Sequence, residues 1–493
     1  MKAFLMYPDR DFDVEKSLPP NEAELRQDLE LDTLCNAMGG DDRFLIDTVT
    51  PAILSSLTDV ETIAYRQEVL RDCLEQPGLI REIYQIAVEA MEGEKKVFRG
   101  FFRDSPDTIL RRALQVLELF LDLLKRLRKL SDEHGVKFHS EGFSRLFAML
   151  SGELDDEYLD TVETRLKELQ FNNGVLIGAE LGAGLKGKNF VLHHRPQQSW
   201  KERLTLGGRH SYSFQIADRD DNGFKALSEL ADQGLNLVAN ALAQSTDHIL
   251  SFFTLLRTEL AFYVGCLNLN DRLVAKGEPT CFPTALPLGS LALSASGLYD
   301  ICLALNIRER VVGNGLNADD KRLVMITGAN QGGKTTFLRA LGLAQLMMQC
   351  GMFVPAQSFR ANVCAGVFTH FKREEDATMK SGKLDEELSR MNAIASHVAP
   401  NSILLCNESF ASTNEREGSE IAREIVRALL EAGIKVIFVT HMFDLAHGFN
   451  NTTGASLFLR ADREADGRRT FKLAEGEPRA TSHGEDVYRS VFR

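Results

Sequence analysis

The stretch KRLVMITGANQGGKTTFLRALGLAQLMM (321–348) constrains this chain more than any other. Leu323 to Thr327 form an apolar run of strand length, and Gly328 to Thr335 fit the spacing GxxxxGK[ST]. Apolar residues then recur at helical steps, at Phe337, Leu338, Leu341 and Leu346. Strand, loop and helix are the context this motif requires, and they place it in an α/β domain. The physical need is plain. A triphosphate concentrates negative charge, and a glycine turn can point its backbone N–H groups inward to meet it, with the helix N-terminus adding its dipole. The spacing therefore marks Gly328, Ala329, Asn330, Gln331, Gly332, Gly333, Lys334, Thr335 and Thr336 as candidate ATP-binding residues. Lys334 is expected to reach the β- and γ-phosphates, and the Thr335 hydroxyl to ligate magnesium.

A second apolar run, in SILLCNESFAST (402–413), leads from Ile403 through Cys406 into Asn407 and Glu408. Nucleotide-hydrolysing enzymes use a buried strand that ends in two carboxylates, one for the magnesium shell and one to polarise the attacking water. Here the first of the two is an amide. Asn407 can still hydrogen-bond a magnesium-bound water through its oxygen, but it lacks the full negative charge. Hard cations prefer carboxylate oxygen, so Mg2+ should be held less tightly and phosphoryl transfer should slow. Glu408, 74 residues after Lys334, is the candidate for orienting the water. A third apolar run, IKVIFVTH (434–441), ends in His441, placed to sense the γ-phosphate. Together the three strands supply the loop, the acidic position and the switch histidine of an ABC-type ATPase.

The rest of the chain is read from composition and period. At 493 residues it is too long for one core. Hydrophobic residues make up 44% and charged residues 26%, as in a soluble globular protein. A net charge of −13 disfavours a chain that coats nucleic acid all over but permits a local basic groove. No uncharged apolar run reaches the ~18 residues a bilayer span needs, and no secretion signal is legible at the start. The eight scattered cysteines, without a CxxC pair, suit a reducing cytosol. These features point to a cytoplasmic protein with no membrane partner. Residues 1 to about 170 read as helical, with a near-continuous stripe at Leu114, Leu117, Leu121, Leu124 and Leu127. Between about 171 and 216 the texture turns to glycine and β-formers, and Arg195, Lys201, Arg203 and Arg209 surround Trp200, with Tyr212 and Phe214 nearby. That mixture suits an exposed β-loop first and a phosphate-backbone contact second. Helical spacing returns from 223 to about 275, and GEPTCFPTALPLG (277–289) reads as a linker.

Beyond these motifs, the last 190 or so residues resemble the MutS family of DNA mismatch repair ATPases. The short gap between the loop and Glu408 points that way, since SMC-type proteins place a very long coiled coil there. ITGANQGGKTTFLRA is similar to the family's phosphate loop, with Ala329 and Gln331 where the family usually has proline and methionine. MFVPAQ (352–357), GVFTHFKREED (366–376), FVTHMFDLA (438–446) and FKLAEGEPRATSHGEDV (471–487) resemble its later segments in order. MKSGKLDEELSRM (379–391) occupies the place of the signature segment, and NESFASTNEREG (407–418) that of the acidic pair and glycine-rich turn.

The resemblance implies an ABC-type P-loop ATPase domain over 290–493, preceded by a mostly helical core and lever region over 1–280 with a small β insert at about 171–216. It implies a dimer, with itself or with a related MutS-like subunit, in which Ser381 meets the γ-phosphate of the partner's ATP. It implies ATP and Mg2+ as ligands and DNA as a partner in repair, recombination or surveillance of DNA structure. Three departures accompany it. The chain starts directly in helical sequence without a mismatch-reading module, the β segment stands where long clamp helices would cross DNA, and Asn407 replaces a carboxylate. The expectation is a slow ATPase. The alternative is a nucleotide-gated clamp or scaffold with negligible turnover and a ligand other than DNA.

Overall fold

The computed structural model describes residues 1–97, 105–171, 175–185, 187–193, 215–217, 219–328, 331–373, 382–450, 456–463 and 469–479. It is a mixed α/β protein, helical in its first half and carrying its two larger sheets in the second. The chain divides into two compact units. One comprises residues 1–3, 82–136 and 144–257; the other comprises 4–81, 137–143 and 258–493. The second unit thus gathers residues from both sides of the boundary expected near 280–290.

In the first unit the helix Pro106–His134 starts where its sequence says it should. Ser105 Oγ accepts the Thr108 N–H at 3.3 Å and proline occupies the first turn, where its missing N–H costs nothing. Its expected stripe is buried, from Leu114 through Leu127, and Phe120 meets Phe253 at a ring separation of 5.5 Å. Strands β1 (Leu176–Leu181) and β2 (Gly187–His193) pair as an antiparallel hairpin. Arg195, Trp200, Lys201, Arg203, Arg209, Tyr212 and Phe214 lie outside the described residues. The helix Asp221–Ala275 is the one described helix long and apolar enough to cross a membrane by composition, yet 67% of its most apolar window is buried inside the protein. That apolarity is spent on the core.

In the second unit ten strands follow in chain order: β3 (Thr284–Leu286), β4 (Leu293–Leu298), β5 (Asn314–Asn317), β6 (Leu323–Gly328), β7 (Ser358–Asn362), β8 (Val367–Phe371), β9 (Ile403–Asn407), β10 (Lys435–Val439), β11 (Ser456–Arg463) and β12 (Arg469–Glu475). Four form a sheet in the order β3-β7-β4-β5, and six form another in the order β12-β11-β6-β10-β9-β8. In the larger sheet all neighbours are parallel except the edge strand β12. Parallel strands covered on both faces should read as unbroken apolar runs, and LVMI, ILLC and VIFV do. Leu323, Met325, Leu404, Cys406, Val436 and Phe438 pack with Val426 and Leu429 from the helix Glu415–Glu431, with Met442, and with Leu445 from the helix Phe443–Asn450. The helix Lys334–Gln349 comes so near the sheet that a Cβ on Gly342 would sit 2.6 Å from Leu405 Cδ1. A larger residue there would force Leu405 and Leu29 to shift.

The start of the second unit is held by buried polar side chains. Glu259 accepts the Leu5 and Phe12 N–H groups at 2.6 and 3.2 Å, and burial pushes its carboxyl up to about 7. Arg66, fully buried, donates to the Met6 and Cys350 carbonyls, which ties this segment to the end of the helix Lys334–Gln349. All eight cysteines are free thiols.

Candidate nucleotide site

Strand β6 delivers the glycine loop to the carboxyl edge of the parallel sheet, the edge where open α/β sheets place their ligands. Gly328 closes the strand at φ 112°, and a Cβ there would lie 2.8 Å from the backbone N of Ala461 on β11. Gly333, at φ 88°, turns the chain into the helix Lys334–Gln349. Both need the left-handed freedom that glycine has. Gln331 also sits at positive φ, 60°. Lys334 is the first helical residue and only 5% exposed; its Nζ donates to the Gly328 carbonyl at 2.9 Å and closes the loop on itself. Burial pushes its pKa down, and the nearby Glu408 opposes that shift. Ala329 and Asn330 lie outside the described residues.

The other strands meet the loop from the side. Strand β10 separates β6 from β9, and the register sets Val439 level with both Ile326 and Asn407. Asn407 ends β9, and its Oδ1 accepts the Thr335 hydroxyl at 2.9 Å. Glu408 follows at φ 53° with its N–H on the Val439 carbonyl. Its Oε2 accepts the backbone N–H of His441 at 3.2 Å and lies 2.5 Å from His441 Nδ1. The carboxylate raises the His441 pKa above its ordinary value, against the opposing effect of burial. The third strand stops at Val439, two residues short of the expected end, so His441 stands just beyond it.

Gln331, Gly332, Gly333, Lys334, Thr335, Thr336 and Glu408 line a cavity of about 670 Å3. Away from the loop its lining sets apolar Ile307, Val311, Val312 and Phe471 beside polar Asp300, Glu309, Arg310 and Asn314. Asn314 fixes that wall by donating to the Phe471 carbonyl at 3.0 Å and accepting the Leu473 N–H at 2.8 Å. The loop helix is anchored below. Arg339 pairs with Asp300 at 2.5 Å and with Glu30, and Asp300 in turn caps the helix Ile301–Asn306. Sequence reasoning passed over this wall and anchor. Asp300 carried a legible signal, a capping residue before an apolar run; Phe471 and Val311 carried none, because only tertiary folding brings them to the loop.

The structure thus gathers Gly328, Lys334, Thr335, Asn407, Glu408 and His441 at one sheet edge. Ser381 lies outside the described residues; the helix Lys383–His397 begins directly after Gly382. Among the described residues no cluster of three or more His, Cys, Asp or Glu side chains could hold a metal. The adjacent oxygens of Thr335 and Asn407 are hard donors of the type Mg2+ takes alongside water and phosphate, so they fit that ion.

A glycine loop, an amide beside a carboxylate, and a histidine, each leaving a neighbouring strand of one parallel sheet, define α/β proteins whose site lies at the strand ends. Two family profiles match this chain: the MutS2 N-terminal domain over residues 58–276 and MutS domain V over residues 324–488. The chain belongs to the MutS family. It is 26% identical over 248 residues to MutS protein homolog 4 of Mus musculus, covering 48% of this chain and 25% of that protein. It is 30% identical over 172 residues to Endonuclease MutS2 of Lactiplantibacillus plantarum, covering 34% of this chain and 22% of that protein. It is 36% identical over 127 residues to DNA mismatch repair protein MutS of Thermotoga maritima, covering 26% of this chain and 16% of that protein. Each match spans a quarter or less of the relative's length.

Proposed function

We propose that this chain is an ATPase with an ABC-type P-loop, which binds ATP with Mg2+, hydrolyses it slowly and couples the nucleotide to DNA in mismatch repair, recombination or surveillance of DNA structure. The observation that carries this reading is the convergence of Lys334, Thr335 and Glu408 on one cavity, with Asn407 bonded to the Thr335 hydroxyl. The loop amides and the helix N-terminus meet the phosphates, and Lys334 exchanges its Gly328 carbonyl for phosphate oxygen. Thr335 and Asn407 hold the ion, whose part is to neutralise charge on the phosphate oxygens. Glu408 orients the attacking water, and His441, released from Glu408, senses the γ-phosphate. The apolar side chains of Ile307, Val311 and Phe471 take the base. Two heads, of this chain or of this chain and a related subunit, close over two nucleotides, with Ser381 completing the partner's site.

The family membership and the names of the matched relatives support the DNA arm. A second reading, a nucleotide-gated clamp with negligible turnover, draws its support from Asn407, which puts an amide where a charge would speed the reaction. Phosphate release measured alone and with plain, mismatched and branched duplex DNA separates the two. Turnover stimulated by DNA upholds the ATPase reading. ATP binding without turnover on any of these substrates replaces it with the clamp.

A further inference from the structure

Below the cavity edge lies a polar contact set that the proposed chemistry does not use. His370, on β8, is fully buried, as is Ser409. Ser409 Oγ lies 2.7 Å from His370 Nδ1 and 2.7 Å from the His370 carbonyl. His370 Nε2 lies 3.0 Å from the carbonyl of Glu387, in the helix Lys383–His397. Burial, with Arg390 and Arg373 nearby, pushes the His370 pKa down to about 4, so the ring is neutral. In the neutral ring Nε2–H donates to the Glu387 carbonyl, and the one Ser409 hydroxyl proton faces two acceptors, Nδ1 and the His370 carbonyl. The His370 ring also stacks on Phe410 at 5.4 Å with the planes 22° apart. Ser412 Oγ donates to the Glu387 carboxylate at 3.0 Å. The turn after β9 is therefore fixed at Ser409, Phe410 and Ser412, and all three fixings lead to His370 or Glu387.

This turn needs fixing. Glu408 and Phe410 are both held at positive φ, 53° and 63°, where residues other than glycine are strained. Such a turn keeps its shape only when its surroundings over-determine it. From these contacts we infer that His370 and Ser409 are positioning residues: they lock the turn that aims Glu408, and they couple that turn through Glu387 to the helix that begins beside Ser381. A movement of that helix on partner binding would reach Glu408 along this route. The functional half of this inference rests on the ATPase reading above; the geometric half does not.

The full-length protein carries the test. The pairing with Glu408 raises the His441 pKa, so a His441 NMR titration reports where Glu408 points without requiring turnover. Ser409→Ala is expected to lower the His441 pKa toward the ordinary histidine value. It is also expected to reduce kcat for ATP about tenfold with KM for ATP changed less than twofold, as loss of one neutral hydrogen bond allows. Ser412→Ala, at a half-buried position, is expected to shift both readouts in the same direction by less, and it serves if the Ser409 variant does not fold. An unchanged His441 titration in a folded variant overturns the inference. If the unmodified protein binds no ATP, the ATPase reading fails, and the titration still decides whether the brace aims Glu408.

Discussion

Thr335 Oγ1 donates a hydrogen bond to Asn407 Oδ1 across 2.9 Å, joining the glycine-loop helix to the end of β9. The amide keeps the geometry a carboxylate would have and gives up the charge. Asn407→Asp is therefore expected to tighten the Mg2+ requirement, lowering its half-saturation, and to raise kcat roughly tenfold, a barrier change of about 1.4 kcal/mol. Phosphate release titrated with Mg2+ measures both. An Asp variant no faster at saturating Mg2+ would show that the amide is not what slows the site.

Glu408 and His441 form an ion pair whenever the histidine is protonated. Because the folded pKa of His441 is raised, this pair stabilises the fold fully below the ordinary histidine value and loses its effect as pH rises through the folded value. Glu408→Gln should bring the His441 titration down, and it should reduce turnover by about a hundredfold or more through loss of water activation. NMR titration and single-turnover phosphate release read the two effects separately.

His370 carries the opposite sign. Its pKa is depressed to about 4, so neutral His370 contributes stability that is present above the unfolded value and is lost as pH falls from about 6.5 through 4. The loss should amount to about 3 kcal/mol across that window. Urea melts of the second unit's unfolding signal at pH 7 and pH 4.5 should show it, and His370→Gln should flatten the acid limb.

Arg339 is held between buried Asp300 and half-exposed Glu30. Removing it leaves the Asp300 carboxylate buried without its partner, and Arg339→Ala should cost roughly 3 kcal/mol. Asp300→Asn, which leaves Arg339 its pairing with half-exposed Glu30, should cost less. Equilibrium denaturation of both variants tests the order.

Much of the site was legible because its parts are local. GANQGGKT prescribes its own loop, and the apolar runs before Asn407 and His441 had to be buried strands ending at polar residues. The helical first half and the β segment near 176–193 followed from period and from glycine content. What could not be read depends on contacts far apart in sequence. Nothing in the letters says that Phe4 to Arg81 packs in the same unit as the loop, that Phe471 closes the cavity 140 residues beyond it, or that His370 reaches Ser409. His441 was expected to wait for phosphate; its contact with Glu408 is a tertiary fact that no spacing encodes.

Equilibrium binding of labelled ATP in the presence of Mg2+, on the unmodified protein and on Lys334→Ala, tests the central claim most directly. The glycine loop closed by Lys334 predicts saturable binding that the alanine variant loses by about a hundredfold or more while its fold is retained. No binding by the unmodified protein, or equal binding by both, would contradict the account.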